Sequence, residues 1–62
     1  MAHSLQYQIG ESVRAIEVEA ERLLDVMDSL KEAGNEYLAN TVMVQVQKLL
    51  EVAIALRIAA SG

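Results

Sequence analysis

The N-terminal half of the chain repeats apolar residues at the alternating three- and four-residue spacing of a packed α-helix. The repeat covers three heptads and consists of Ile9, Val13, Ile16, Ala20, Leu23, Met27 and Leu30. Leu24 and Val26 flank this seam and widen it toward the broader stripe typical of bundles. Ser4 and Ser12 are alternative N-caps, because a serine hydroxyl accepts a bond from a free amide of the first turn. The pattern predicts a helix beginning at Ser4, or at Ser12 if the segment before Gly10 is loose.

A second seam with the same period occupies the C-terminal half. Its members are Ala39, Val42, Val46, Leu49, Ala53, Leu56 and Ala60. Between the two seams, Gly34 can adopt the left-handed conformation that ends helices, and Asn35 can cap the helix that follows. The pattern therefore predicts a turn at residues 34–35 and a second helix over about residues 36–60.

Two helices of matching length joined by so short a turn are expected to lie side by side in opposite directions. The sequence thus predicts an all-α fold: an antiparallel two-helix hairpin, with helix one at about 4–33 and helix two at about 36–60. A chain of 62 residues has room for one such domain, 1–62, and for no second module.

Helix two carries more apolar surface than one neighbouring helix can cover. Between Val52 and Ala60 only Arg57 is charged, and a helix that is apolar nearly all round is usually buried. A two-fold dimer of hairpins, forming a four-helix bundle, is the simplest closed arrangement that buries it. We expect a homo-oligomer, a dimer in preference, although a protein partner would also cover this surface. The residues predicted to form this interface are Val42, Met43, Val46, Leu49, Leu50, Ala53, Ile54, Leu56 and Ile58.

Helix one carries an acidic face beside its seam. The face consists of Glu17, Glu21, Asp25, Asp28 and Glu32, which recur every three or four residues. It is expected to be a solvated surface that maintains solubility, with binding of a basic protein as the alternative. The net charge of −4 and the total of five basic residues argue against nucleic-acid binding, which relies on clustered lysine and arginine.

The residue types needed for catalysis or for holding a cofactor are missing or badly placed. The chain has no cysteine, its one histidine is the near-terminal His3, and no base is positioned to activate a serine or threonine. The acidic residues lack the Glu-x-x-His pairs of di-metal bundles. No phosphate-cradling glycine loop occurs either. We therefore expect no enzyme activity, no catalytic residue, no metal site and no cofactor.

Hydropathy and the N-terminal sequence bear on location. The longest charge-free interior run, residues 37–47, has eleven residues, fewer than the ~20 that a membrane-spanning helix needs. The first ten residues lack the basic start and continuous apolar run of a secretory signal peptide. The expected location is cytoplasmic, without membrane association.

Two resemblances imply more specific roles. The segment Leu49-Leu50-Glu51-Val52-Ala53-Ile54-Ala55-Leu56 resembles the C-terminal helix of the hairpin co-chaperones of type III secretion needles. That resemblance implies a small co-chaperone that covers a partner with its apolar helix two. In length and hairpin form, the chain is similar to the dimeric regulators of plasmid copy number. That resemblance implies RNA binding, although the net charge of −4 argues against it. The residues themselves predict a non-enzymatic, self-associating hairpin that acts as adaptor or regulator through protein–protein contacts.

Overall fold

The computed structural model describes residues 4–61, which form two α-helices and no strand. Helix α1 spans Ser4–Glu32, and helix α2 spans Glu36–Ser61. The prediction of an all-helical hairpin is confirmed. Because α1 runs without interruption through Gly10 and Ser12, it begins at the earlier of the two predicted starts.

A three-residue connection reverses the chain between α1 and α2. Its central residue, Gly34, has a φ of 82°, in the left-handed region that favours glycine. The amide of Asn35 donates to the carbonyl of Leu30 at 2.8 Å, and the amide of Gly34 donates to the carbonyl of Lys31 at 3.0 Å. This pair of bonds is a Schellman motif, which satisfies carbonyls that the end of α1 would otherwise leave free.

Asn35 also starts the second helix. Its side-chain Oδ1 accepts a bond from the amide of Leu38 at 3.2 Å, and its carbonyl accepts one from the amide of Ala39 at 3.1 Å. The first is the N-cap bond expected of asparagine, and the second begins the α2 ladder. One residue therefore helps to close α1 and to open α2.

The centre of the hairpin is a row of six side chains that we call the contact row. Its members each expose 7% of their surface or less and recur every seven residues: Val13, Ala20 and Met27 on α1, with Ala39, Val46 and Ala53 on α2. In antiparallel order, each level pairs an alanine with a larger side chain, as in Val13 with Ala53. The Nε2 of Gln6 donates to the carbonyl of Ala60 at 3.4 Å, and these residues are the next positions of the same two rows. This bond supports the register.

Replacing Gly34 by alanine tests the turn. An alanine Cβ is strained at a φ of 82°, so Gly34→Ala should lower the free energy of unfolding by about 1 kcal/mol. The matched control is Gly10→Ala, because Gly10 lies inside α1 and a Cβ there would meet nothing within 4 Å. That control should raise the free energy by roughly 0.5–1 kcal/mol. Urea denaturation followed by far-ultraviolet circular dichroism, at one protein concentration, measures both; equal effects would contradict the turn geometry.

Candidate interaction surfaces

The contact row divides the hairpin into two broad sides. Each residue of an α-helix is rotated by about 100° from the one before it. As a result, side chains three and four positions after a contact-row residue point to opposite sides of the plane that contains the two helices. An antiparallel pair has an approximate two-fold axis perpendicular to that plane. Equivalent positions on α1 and α2 therefore lie on the same side. The two sides differ sharply in composition.

One broad side is entirely aliphatic along its centre. We call this side's central residues the aliphatic face. They lie three positions after each contact-row residue and after Gln6, and all are half-buried: Ile9, Ile16, Leu23, Leu30, Val42, Leu49 and Leu56. None of the seven is polar. Each is covered on one flank by the hairpin and open on the other. The two seams predicted from the sequence thus form the apolar stripe of the hairpin, and six of their fourteen residues are fully enclosed.

A second row continues this side outward and faces directly away from the plane of the hairpin. It holds the residues immediately before each contact-row position and before Gln6 and Ala60, and we call it the flanking row. Its members are Leu5, Ser12, Glu19, Val26, Leu38, Gln45, Val52 and Ala59, all exposed. Four of them are large hydrophobic residues. Together with the aliphatic face, this row forms one broad apolar surface that contains three polar side chains.

The opposite broad side, which we call the salt-bridge face, is mixed. The positions four after the contact row and Gln6 are Gly10, Glu17, Leu24, Lys31, Met43, Leu50 and Arg57. Arg57 Nη2 donates to Glu17 Oε2 at 2.6 Å and links α2 to α1 across this side. The side chains of Arg57 and Glu17 remain 60% and 44% exposed, so water screens the pair.

The nine residues predicted as an interface fall on different surfaces of the hairpin. Val46 and Ala53 are buried in the contact row, where α1 covers them. Val42, Leu49 and Leu56 lie on the aliphatic face. Met43 and Leu50 lie on the salt-bridge face, the exposed Ile54 lies on the same side, and the exposed Ile58 lies on the outer surface of α2. Only three of the nine therefore belong to the continuous aliphatic side.

The acidic face of α1 lies away from the aliphatic side. Glu17 belongs to the salt-bridge face and is half-buried, and the other four members, Glu21, Asp25, Asp28 and Glu32, are exposed. They project from the salt-bridge side and from the outer surface of α1. A molecule that covered the aliphatic face would leave these carboxylates in contact with solvent.

Two hydroxyl groups of α2 are bonded to the backbone of their own helix. Thr41 Oγ1 donates to the carbonyl of Tyr37 at 3.0 Å, and Ser61 Oγ donates to the carbonyl of Arg57 at 2.9 Å. Such bonds to the preceding turn are common for these residues. Between residues 4 and 61, no group of three acidic, histidine or cysteine side chains could hold a metal ion. His3 lies outside the described residues.

The open end of the hairpin has a shallow groove on the salt-bridge side. It forms beside Gly10, which has no side chain to fill it, and is lined by Gln6, Ile9, Gly10, Val13, Arg14, Glu17, Arg57, Ala60 and Ser61. Its two guanidinium groups and one carboxylate are the only charges on its walls. The Glu17 carboxylate already neutralises Arg57. This arrangement offers no nucleophile with an activating base.

The sequence pattern did not distinguish the two broad sides of the hairpin. Ile16, Leu23 and Leu30 look like ordinary core residues in the seam of α1, although the structure leaves them half-exposed. The spacing from the contact row carries the signal that separates the two sides. The residue three positions after each contact-row residue is always aliphatic, whereas the residue four positions after it is often charged.

Comparison of the chain with models of protein families, with curated proteins and with solved structures finds no significant match. Neither of the two helices described between residues 4 and 61 has the length and apolar character needed to cross a membrane. The two sides of the hairpin are therefore the features that bear on function.

Neutralising the salt bridge tests whether its side faces solvent. Glu17→Gln should lower the free energy of unfolding by less than about 1 kcal/mol, because exposed ion pairs contribute little. The difference from the unaltered chain should shrink in about 1 M salt, where the screening length is short. A loss of more than about 2 kcal/mol in chemical denaturation would mean that this side is buried in an assembly.

Proposed function

We propose that this chain is a non-enzymatic interaction protein whose hairpins pair through their aliphatic faces into a four-helix bundle. In this role it acts as an adaptor or regulator through contacts with other proteins. The observation that carries the proposal is the seven-residue aliphatic face, bordered by the exposed hydrophobic residues of the flanking row. Contiguous apolar surface of this kind marks an interaction site.

The dimensions of the hairpin suit a dimer. Its Cα atoms span 49 × 15 × 11 Å, so one broad side covers roughly 700 Å², close to the ~800 Å² per partner of a standard interface. A two-fold axis lets each copy cover the aliphatic face of the other, so the assembly closes at two copies. Leu23 and Leu49, at the middle of the face, would then lie in the core of the bundle.

The acidic face supplies the surface for other proteins. Helix α1 carries seven carboxylates and three basic residues, a net charge of −4, whereas the two acidic and two basic residues of α2 cancel. Pairing through the aliphatic faces leaves the exposed members of the acidic face accessible on both copies. Two equivalent acidic surfaces on one bundle favour basic protein partners, by electrostatic attraction and by bivalent attachment.

The same aliphatic face could cover an apolar segment of a different protein, as the co-chaperone alternative requires. The face draws on both helices, with four residues from α1 and three from α2. A partner held by helix two alone would leave Ile9, Ile16, Leu23 and Leu30 half-exposed. A second copy, which presents a matching face of equal length, covers all seven.

A pair of valines on α1 tests the proposed interface. Val26 lies in the flanking row and is 47% exposed, so a second copy would bury it. Val26→Lys should raise the dissociation constant of the dimer at least about tenfold, because each dimer would bury two added charges. Sedimentation equilibrium over a range of protein concentrations measures this constant.

The matched control is Val18→Lys. Val18 is on the same helix and is 52% exposed, but it lies on the outer surface of α1. Both substitutions add one positive charge to an acidic helix, so general electrostatic effects are the same. The control should dimerise like the unaltered chain. Equal weakening by both variants, or by neither, would argue against the aliphatic face as the interface.

A further inference from the structure

If the hairpins pair through their aliphatic faces as proposed above, two-fold symmetry allows two arrangements. An axis parallel to the helices places both turns at the same end and packs α1 of each copy against α2 of the other. An axis perpendicular to the helices places the turns at opposite ends and packs α1 on α1 and α2 on α2. The flanking row distinguishes these arrangements, because it points directly at the helix of the second copy.

Two of the three polar residues of the flanking row lie at nearly the same height along the hairpin. Glu19 immediately precedes Ala20, and Gln45 immediately precedes Val46. Ala20 and Val46 are paired across the contact row. Glu19 and Gln45 therefore occupy matching positions on opposite helices, near the middle of the hairpin, and both are exposed in the single chain.

With the turns at opposite ends, full overlap of the two faces brings Glu19 against Glu19 of the second copy. Two carboxylates would face each other in a surface that becomes largely dry, which strongly disfavours this contact. The whole α1 helices, each with a net charge of −4, would also be adjacent. Sliding the copies apart would relieve the contact only by uncovering the ends of the aliphatic face.

With the turns at the same end, Glu19 of each copy meets Gln45 of the other. A glutamine amide is a good partner for a carboxylate, because its Nε2 group donates two hydrogen bonds and carries no charge. The acidic α1 then lies beside the neutral α2. The neighbouring flanking residues also match, since Val26 meets Leu38 of the second copy.

We propose that the homodimer has both turns at one end, with α1 packed on α2 of the second copy and two symmetric Glu19–Gln45 hydrogen bonds fixing this orientation. Two buried polar pairs specify one arrangement over another, as polar residues do at coiled-coil interfaces. The two ends of the bundle therefore differ: one end presents two turns, and the other presents the first residues of both α1 helices and the last residues of both α2 helices. A protein that recognises the turn would meet two copies of it side by side.

The absence of cysteine from the chain permits a direct test by disulfide cross-linking. Glu19→Cys and Gln45→Cys chains are prepared separately, mixed in denaturant, refolded together and oxidised in a glutathione buffer. Disulfides form only where the Cβ atoms approach to about 4 Å. The proposed arrangement predicts that mass spectrometry finds tryptic peptide 15–22 joined to peptide 32–48. It also predicts that Gln45→Cys refolded alone, which keeps Glu19 in both copies, gives little covalent dimer.

The matched control is a mixture of Glu21→Cys and Gln47→Cys chains. Glu21 and Gln47 immediately follow Ala20 and Val46, so they match Glu19 and Gln45 in residue type and in height along the hairpin. Their side chains, however, lie on the salt-bridge side. This mixture should cross-link no faster than a random encounter.

Each other outcome overturns the arrangement in a recognisable way. Rapid cross-linking of Gln45→Cys with itself, in chains that keep Glu19, would show a dimer with its turns at opposite ends. A dimer in sedimentation equilibrium that cross-links only through the control pair would show that the other side is the interface. A monomer without cross-links would overturn the proposed pairing together with its orientation.

Discussion

Two helices can enclose only the row of side chains that lies directly between them, and the whole structure follows from this constraint. In this hairpin the enclosed row has six members, three of which are alanines. Burying a large aliphatic side chain contributes about 1.5–3 kcal/mol, and alanine contributes much less. The contact row is therefore a small core for a chain of 62 residues. Chains of this size usually need association or another staple for stability.

The direction of the unused apolar surface decides how that need can be met. Leucine, isoleucine and valine follow the contact row at the three-residue step on both helices, while the four-residue step reaches three apolar residues and three charged ones, Glu17, Lys31 and Arg57. Antiparallel packing gathers the first set on one broad side and the second set on the other. A second copy can cover one whole side, and the charged residues keep the opposite side hydrated. The sidedness of the hairpin is thus the link between its fold and its proposed role.

Much of the fold could be predicted from the sequence. The heptad seams identify both helices, and the Gly34-Asn35 pair identifies the turn, because each rests on local spacing or local backbone preference. The structure supplied the register, through the Schellman bonds and the link between Gln6 and Ala60. The side on which each seam residue lies depends on that register, so sequence reasoning grouped Leu49 and Leu50 in one interface although they lie on opposite sides.

Light scattering coupled to size exclusion, with helicity recorded over a dilution series of the unaltered chain, shows whether a second copy covers the aliphatic face. If a second copy covers the aliphatic face, the mass should be that of a dimer, and helicity should fall only when dilution separates the copies. A helical monomer that keeps its structure at all concentrations would contradict the account, because the aliphatic face would then be stable in water without a second copy.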